Sequence, residues 1–414
     1  MTSSRPHATD EAVQASLLSA ALAASSWQVP QTVVDVLGPA SGAVRLDLLL
    51  VDHELVELHR IARWRVGEPS HADLGGPDQQ GVPPSPGREH LVEGPTAAAR
   101  TFREQVVTVA GTTVCQPVSV RGHRLGVLVA TVPGTVDPAE RVVPVLAATA
   151  GLVGLLLRQA VESSDEVEVR RRSHVFSVAA EMQWDVLPPT EHRGPGVEVA
   201  ALVEPAYLAT SDVFDWAVDD DVLSVALLEA DGEGLRAARS ADLALAAVRH
   251  ARRAGLDLVD QAATADDVLR RQGSGTGRVH AALVRVDLGT GRGRMVLAGA
   301  PLVLRHTAGA LHVVSVPRAP ALGDGEEGER SDQPLPVPPR QTLVLASSGV
   351  LQARSRDDVP FTLDQLEDVL RAPADLLDTP RQVARAVRAH CGGQVARDAT
   401  CVLARWGAIS RGRP

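Results

Sequence analysis

The sequence contains no lysine, and all 41 of its basic residues are arginines. Without lysine the chain cannot form the Gly-Lys loop that cradles nucleotide phosphates in P-loop proteins. Its cysteines, Cys115, Cys391 and Cys401, are odd in number and widely spaced. This pattern predicts neither a disulfide framework nor a zinc site, and it indicates reduced, buried thiols.

Positive charge is scarce, because 51 acidic residues outnumber the 41 basic ones. The formal net charge of -10 argues against binding to nucleic acid or to an anionic membrane, since phosphate-rich surfaces require a basic partner.

The N-terminus lacks the apolar core of a signal peptide. The apolar run at residues 142–157 is shorter than the ~20 residues that span a bilayer. We therefore expect a buried or dimer-facing helix there, and a cytoplasmic protein.

Apolar residues make up 44% of the 414 residues, enough to fill sizeable cores. A chain of this length exceeds the size at which a single core usually stops growing, so two domains are expected. The first predicted domain spans residues 10–160 and begins with two helices, followed by a strand hairpin that turns at residues 52–54. A stretch rich in Gly, Pro and Gln, about residues 66–95, cannot bury enough apolar surface to order itself and predicts a mobile loop.

The end of this domain runs without strong helix breakers into residues 161–189, which we predict to be a long connecting helix. Here Glu166 and Glu168 precede Arg170 and Arg172 by four residues, the spacing of stabilising pairs on an exposed helix face. Such a helix is either a plain linker or an element that transmits a signal through a parallel dimer. We favour the second interpretation, which implies a homodimer.

The order of elements in the first domain is two helices, a hairpin, a loop, a helix and an antiparallel pair written QPVSVRGHRLGVLVATVP. This order resembles that of a GAF domain. The resemblance implies a sheet with helices and a pocket for a small ligand over the sheet. No residue identifies that ligand, and we expect Cys115 in the core rather than as a chromophore anchor.

The second predicted domain, residues 190–407, alternates strand-like apolar runs with pairs of helices and predicts an α+β sandwich. Acidic residues gather where the strand patterns begin and end. Asp212 precedes the apolar run at residues 222–228, and Glu229 and Asp231 follow it. Carboxylates at strand ends beside glycines are what a hard divalent cation requires.

Three motifs of the second domain come in a recognisable order: AEMQWDVLPP, VEPAYLATSDVFDWAV and ARDATCVLARW. They resemble the opening helix, the Pro-Ala stretch with its acidic ligand, and the closing Asp-Asp-x-Thr strand of PPM-type serine/threonine phosphatases of the SpoIIE-like branch. The resemblance implies a β-sandwich flanked by helices, which holds two Mg²⁺ or Mn²⁺ ions. In that family a metal-bound bridging water attacks the phosphate. A GAF domain followed by this phosphatase is a recurring pairing.

The resemblance assigns the metal ligands position by position. Asp212 stands where the family has its first acidic ligand, and Glu229 stands at the Asp that bridges both ions. Ser348 and Arg397 stand at two further ligand positions, so that a neutral hydroxyl and a permanent cation replace carboxylates there. These two replacements predict a degenerate metal site.

Two other acids are compensating candidates. Asp231 is two residues from Glu229, and Asp398 would enter the site if the alignment shifted by one residue. A guanidinium beside a divalent ion is strongly repelled, so we do not expect a two-ion centre. Arg397 is expected either to pair with Asp212 or Glu229 or to lie exposed at a strand end.

The sequence therefore supports three hypotheses, in order of preference. The first is a phosphatase-fold signalling regulator, catalytically impaired or inactive, that the GAF-like domain controls. The second is an active Mn²⁺- or Mg²⁺-dependent protein phosphatase that uses Asp212, Glu229 and Asp231, with Asp398 as a further candidate. The third refines the first and makes Arg397 a reader of a phosphorylated protein. By resemblance, the partner is a regulatory protein of the anti-sigma-factor-antagonist type, and the site holds Mn or Mg or no ion.

Overall fold

A computed structural model describes residues 10–69, 91–206, 212–273, 276–307, 309–325, 330–372 and 375–407. The chain divides into two compact units, residues 1–175 and 176–414. Most of the predicted mobile loop, residues 70–90, lies outside the described residues. The boundary between the units falls inside the segment that the sequence predicted as a connecting helix.

The first unit is built on a five-stranded antiparallel sheet. Its strands are β1 Arg45–Val51, β2 Leu58–Arg65, β3 Thr108–Ala110, β4 Thr113–Val120 and β5 His123–Thr131. Its helices are α1 Asp10–Ala23, α2 Val29–Ser41, α3 Ala97–Glu104, α4 Pro138–Arg141, α5 Val143–Val161 and α6 Glu166–Arg170. The strand order is β2-β1-β5-β4-β3, and the antiparallel β1-β2 pair confirms the predicted hairpin.

Helix α5 packs on this sheet. Leu146 and Leu157 of α5 are buried in the same core as Leu17 of α1. Gly154 lies so close to β4 that a Cβ atom there would come within 2.6 Å of a methyl group of Val120. Among the described residues, α5 is the helix whose length and composition would allow it to cross a membrane, but 44% of its apolar window is buried within the protein.

The prediction of a single connecting helix over residues 161–189 is wrong. Two short helices take its place: α6 in the first unit and α7, Val178–Val186, in the second. Serine side chains contact the start of each helix. Ser177 is the N-cap of α7, and its hydroxyl accepts the backbone N–H of Ala180. The hydroxyl of Ser164 accepts the backbone N–H of Glu166, the first residue of α6. A short polar side chain thereby caps a new helix where a continued helix would need an uninterrupted backbone ladder.

The second unit is a sandwich of two antiparallel sheets. Its strands are β6 Glu191–Gly194, β7 Val197–Glu204, β8 Asp212–Asp219, β9 Val222–Ala230, β10 Val279–Asp287, β11 Arg292–Ala298, β12 Leu302–Thr307, β13 Ala310–Val313, β14 Gln333–Leu335, β15 Thr342–Ala346 and β16 Ala399–Trp406. Its further helices are α8 Gly234–Arg253, α9 Leu258–Arg271, α10 Ser348–Gln352, α11 Leu363–Arg371 and α12 Thr379–His390. The strand orders are β14-β11-β10-β9-β8 and β13-β12-β15-β16-β7-β6.

Three hydrophobic cores stack these elements in the order helices, sheet, sheet, helices. Phe214 and Trp406 are fully buried between the two sheets. Leu245 and Leu269 fasten α8 and α9 to one sheet, and Val387 fastens α12 to the other. Each such side chain contributes about 1.5–3 kcal/mol of hydrophobic stabilisation. The predicted α+β fold class is confirmed.

The three cysteines are free thiols, and Cys115 and Cys401 are buried as the sequence indicates, but Cys391 is only partly buried, so the expectation of burial was wrong for it. Burial raises the pKa of Cys115 to about 11 and that of Cys401 to about 12. Because only the thiolate reacts with alkylating agents, we expect iodoacetamide to modify the partly exposed Cys391 first in the folded protein. Mass spectrometry before and after denaturation measures this order. Rapid modification of Cys401 in the folded protein would contradict it.

One carboxyl group in the helical layer makes stability depend on pH. Oδ1 of Asp242, on α8, is buried and has no hydrogen-bond partner within the described structure. Burial, and then the charge of Asp185, raises the pKa of Asp242 from its ordinary 3.8 to about 6. The folded state therefore keeps this proton to higher pH than the unfolded state does. The resulting stabilisation is complete below pH 3.8 and is lost as the pH rises through about 6.

We accordingly expect Asp242→Asn to raise the free energy of unfolding at pH 8 by about 1 kcal/mol, a value reduced for the partial exposure of the side chain. At about pH 2.5, well below the ordinary pKa of 3.8, Asp242 is protonated in both states and the substitution should change little. Urea unfolding followed by tryptophan fluorescence at the two pH values measures the difference. An equal effect at both values would show that the charge of Asp242 is not the cause.

Candidate functional site

The ends of strands from both sheets bring three acids into one buried site. Asp212 begins β8 and lies directly opposite Glu229 of β9 in the antiparallel register. Asp398 immediately precedes β16, and its Oδ2 accepts the backbone N–H of Asp212 at 3.4 Å. All three residues are at most 2% exposed. Three of the four predicted ligand residues are therefore neighbours in space.

Asp398 uses both of its oxygens to hold neighbouring segments. Its Oδ1 accepts the backbone N–H of Ala206 at 2.8 Å, and its Oδ2 accepts the side-chain amide of Gln183 at 2.8 Å. The same amide of Gln183 donates to the carbonyl oxygen of Asp212 at 2.5 Å. Asp398 thus enters the site, as the shifted alignment predicted, but as an anchor that protein N–H groups already occupy.

Hydroxyl groups surround Asp212. Its Oδ2 accepts the hydroxyl of Thr400 at 2.9 Å, and the hydroxyl of Ser347 also hydrogen-bonds to its carboxyl group. Burial first, and then the charges of Glu229 and Asp398, raises the pKa of Asp212 well above its ordinary value, although the two hydroxyls act in the opposite direction. The site therefore carries more negative charge than its surroundings balance.

Glu229 has one bonded and one unbonded oxygen. Its Oε2 accepts the backbone N–H of Ser348 at 2.8 Å. Its Oε1 is buried and has no hydrogen-bond partner among the described residues. Burial raises the pKa of Glu229, while hydrogen bonds from Ser348 and the charges of His280 and Arg397 act to lower it. Among the carboxylate oxygens of this site, Oε1 is therefore the one best placed to take up a proton, to accept a hydrogen bond or to bind a cation.

Asp231 does not join this group. Its carboxylate pairs with Arg278 at 2.8 Å and with Nε2 of His280 at 3.1 Å, and it is 31% exposed. The structure therefore places this predicted compensating ligand in an ion-pair cluster at the start of β10. The reason is the turn after β9, where Gly232 with φ 102° and Gly234 with φ 61° change the direction of the chain.

Sequence reasoning did not find His280. It lies opposite Glu229 in the β9-β10 register, and its Nδ1 accepts the backbone N–H of Ala300 at 3.2 Å. A Cβ atom on Gly299 would come within 2.0 Å of this ring, which explains the glycine. His280 and the residues it contacts are far apart in the sequence, so local patterns do not reveal the contact. The one signal in the sequence was Gly299, a glycine where another chain segment approaches closely.

Ser348 and Arg397 lie near the three buried acids but contribute no carboxylate to the site. Ser348 begins α10 and directs its backbone N–H at Glu229. Arg397 is exposed, and no ion pair joins it to any described residue, so the predicted pairing with Asp212 or Glu229 is not formed. Its alternative, an exposed arginine at a strand end, is what the structure shows. The charge of Arg397 nevertheless lowers the pKa of Glu229.

A cavity of about 410 Å³ opens next to Arg397. Its lining includes Gly349, Gln352, Arg354 and Val395. Gly349 is required there, because a Cβ atom would come within 1.9 Å of the carbonyl oxygen of Asp398. Arg354 and Arg397 therefore both contribute to the lining of this cavity, and the guanidinium of Arg354 pairs with Asp358 at 3.2 Å.

The residues of this site do not fit a two-ion centre. Such a centre needs several carboxylate oxygens directed at the ions. The oxygens of Asp398 and one oxygen of Asp212 accept protein hydrogen bonds. Among the described residues of the site, the buried oxygens without a partner are Oε1 of Glu229 and the amide Oε1 of Gln183, so one of them belongs to a carboxyl group. Ser348 and Arg397 contribute no carboxylate at their two positions.

A family model described as "Stage II sporulation protein E (SpoIIE)" matches residues 219–407, just under half of the chain. The matched range contains Glu229, Ser348, Arg397 and Asp398, and it begins after Asp212. Residues 219–407 thus carry a SpoIIE-type PPM phosphatase fold, as the motifs predicted. No curated protein matches the sequence.

Solved structures with a related fold include three from bacteria. The RsbU and RsbW domains of Rv1364c from Mycobacterium tuberculosis are 19% identical, with a TM-score of 0.45 over 52% of this chain and 63% of that one. The SiaA-PP2C domain of Pseudomonas aeruginosa is 23% identical, with a TM-score of 0.42 over 50% of this chain and 85% of that one. A third structure contains the PP2C phosphatase domain and a fragment of the regulatory domain of SpoIIE from Bacillus subtilis. It is 15% identical, with a TM-score of 0.45 over 50% of this chain and 63% of that one. The chain thus spans less than two thirds of the first of these structures.

Proposed function

We propose that the protein is a signalling regulator whose SpoIIE-type phosphatase fold does not hydrolyse phosphate esters. The observation that carries this proposal is the combination of Arg397 and Ser348 at ligand positions with the bonded oxygens of Asp398. In PPM-type phosphatases the nucleophile is a water that bound metal ions activate. A site that cannot hold both ions has no such nucleophile.

Electrostatics supports the same conclusion. The charge of Arg397 acts on Glu229. A guanidinium near a doubly charged ion raises the energy of that ion, although solvent screens part of this repulsion because Arg397 is exposed. Arg397 is permanently charged and cannot relieve this repulsion by losing a proton. The positive charge at this edge of the site therefore opposes the ion that the missing carboxylates would hold.

An active metal-dependent serine/threonine phosphatase is the second candidate function. The observation in its favour is Oε1 of Glu229, which is buried and unbonded and lies on the strand position opposite Asp212. These two carboxyl groups could hold one Mn²⁺ or Mg²⁺ ion. A single ion lacks the bridging water of the two-ion mechanism, which is why we rank this function second.

A crystal structure of the protein soaked in Mn²⁺ separates the two functions. The proposed regulator predicts at most one weakly occupied ion between Asp212 and Glu229. Two fully occupied ions, with Asp398 turned away from Gln183, would contradict it. Anomalous diffraction at the manganese edge identifies the ions without relying on their coordination geometry.

We also propose that the cavity beside Arg397 binds a phosphorylated regulatory protein of the anti-sigma-factor-antagonist type. Arg397 lines the cavity, and guanidinium groups bind phosphate through paired hydrogen bonds. Arg354 lines the same cavity, but its guanidinium already pairs with Asp358. Arg397 has no ion-pair partner among the described residues and is therefore available to an incoming anion. The partner class follows from the resemblance to the SpoIIE-like branch.

Fluorescence anisotropy with a phosphoserine peptide and its unphosphorylated form tests this binding. We expect the phosphorylated peptide to bind more tightly, and Arg397→Ala to weaken its binding by about tenfold or more, the loss of one charged hydrogen-bonded pair. Arg270→Ala, which removes an exposed arginine of α9, is the matched control and should leave binding unchanged. Phosphopeptide binding that is insensitive to Arg397→Ala would rule out this role of the cavity.

The first unit is proposed to act as a GAF-like sensory domain for a small ligand. Its antiparallel sheet and the helices packed on it support this proposal.

A homodimer is proposed because helices of this unit expose apolar side chains, among them Leu22, which is 76% exposed, and Leu155, which is 57% exposed. We place the protein in the cytoplasm on the basis of its composition. Analytical ultracentrifugation of the protein and of Leu22→Glu tests the dimer.

A further inference from the structure

A second group of acidic and imidazole side chains lies in the first unit, where β1 turns into β2. Asp52, Glu57 and His59 each offer one ligand atom, and the three atoms lie within 4.8 Å of one another. Asp52 is 2% exposed and His59 is 5% exposed, whereas Glu57 is partly exposed. The proposed function of the second unit does not involve this group.

The turn fixes the direction of these side chains. Oδ1 of Asp52 accepts the backbone N–H groups of Val56 at 2.7 Å and of Glu57 at 3.2 Å, which leaves Oδ2 to face the other two residues. Glu57 forms an isolated bridge immediately before β2, and His59 is the second residue of β2, so in extended backbone their side chains share one face. The group is therefore built by the hairpin and does not depend on flexible surface chains.

One hydroxyl group sits between the three ligand atoms. Oγ of Ser173 lies 2.7 Å from Oδ2 of Asp52, 3.3 Å from Oε2 of Glu57 and 3.0 Å from Nε2 of His59. A serine hydroxyl has a single proton to donate and can bond only one carboxylate well at a time. Ser173 thus lies within hydrogen-bonding distance of all three ligand atoms.

We propose that Asp52, Glu57 and His59 bind a divalent transition-metal ion of the Zn²⁺ class and that the hydroxyl of Ser173 competes with this ion. Zinc accepts imidazole nitrogen and carboxylate oxygen at about 2.0–2.2 Å, and three protein ligands leave a fourth position for water. The imidazole favours such an ion over Mg²⁺ or Ca²⁺, which prefer oxygen ligands alone. The ligand atoms move inward when the ion takes the place of the hydroxyl.

Metal binding would then act on the end of the first unit. Ser173 is two residues before Val175, the last residue of that unit. Its hydrogen bonds to the hairpin tie this segment to the sheet, and the ion releases them. Arg170 and Arg171 also bind this segment to Ile61 and His53, so the ion would loosen the attachment at Ser173 and leave these contacts in place.

Titration of the full-length protein with Zn²⁺, in competition with a chromophoric chelator, tests the site. We expect saturable binding that Glu57→Gln weakens by about tenfold or more, since even partners of metal ligands contribute that much. Ser173→Ala should strengthen binding, because it removes the competing hydroxyl. Glu68→Gln, which removes a carboxylate that pairs with Arg65 at the end of β2, is the matched control and should leave the affinity unchanged.

Three results would overturn the proposal: no saturable binding of Zn²⁺, an affinity that Glu57→Gln does not change, or an affinity that Ser173→Ala lowers or leaves unchanged. Because Glu57 is partly exposed and Ser173→Ala removes a single atom, both variants are expected to fold, and circular dichroism verifies this. Loss of Zn²⁺ binding in Asp212→Ala, with binding retained in Glu57→Gln, would place the ion in the second unit instead. These results do not depend on whether the second unit hydrolyses phosphate.

Discussion

Replacing Ser348 and Arg397 together by aspartate is expected to create a Mn²⁺ site in the second unit that the natural sequence does not provide. The double substitution restores a carboxylate at each of the two ligand positions and removes the cation that repels the ion. We expect Mn²⁺ affinity to rise by about two orders of magnitude, in line with the several kcal/mol that close charges contribute. Calorimetric titration in a Glu57→Gln background measures it, so that an ion in the first unit does not contribute.

The matched control is Ser348→Asp combined with Arg354→Asp. Arg354 borders the same cavity as Arg397 but does not stand at a ligand position, so the control makes the same change in net charge. If this control gains as much Mn²⁺ affinity as the Ser348→Asp/Arg397→Asp protein, net charge alone is responsible. The assignment of Arg397 to a lost ligand position would then be wrong.

Asp215→Ala is expected to lower the free energy of unfolding by about 3–5 kcal/mol, because it leaves two partly buried arginines without their carboxylate. Asp215 is 2% exposed, and its two oxygens pair with Arg249 and Arg252 of α8, each at 2.6 Å. These ion pairs attach α8 to the strand that begins with Asp212. Urea unfolding followed by far-ultraviolet circular dichroism measures the loss.

Asp219→Ala is the control for this prediction. Asp219 ends the same strand but is exposed, so its removal should change the free energy of unfolding by no more than about 0.5 kcal/mol. Similar losses in the two variants would mean that the ion pairs of Asp215 do not support the fold. An unchanged stability in Asp215→Ala would mean the same.

Local sequence patterns predicted much of the second unit. Apolar runs such as residues 222–228 have the length and composition of buried strands, and this run forms the centre of β9. The acids at the ends of such runs came together as expected, since Asp212 and Glu229 pair across β8 and β9. The closing motif, ARDATCVLARW, lies within the range that matches the SpoIIE family model and comprises β16 and the residues just before it.

Features that depend on distant contacts could not be predicted in this way. The side chain of Asp231 pairs with His280, which the sequence separates from it by 49 positions. The group at Asp52, Glu57 and His59 receives Ser173 from more than 110 residues away. The predicted connecting helix failed for a different reason, because helix propensity does not register a serine cap such as Ser177, which begins α7 as a new helix.

The hydrolysis of a phosphoserine peptide with Mn²⁺ present, by the full-length protein and by Asp212→Ala, tests the central claim most directly. Release of inorganic phosphate measures the rate. The account predicts that both proteins release phosphate at the rate of the buffer alone, because neither holds the two ions that activate water. Phosphate release by the natural sequence that is lost in Asp212→Ala would contradict it and establish an active metal-dependent phosphatase.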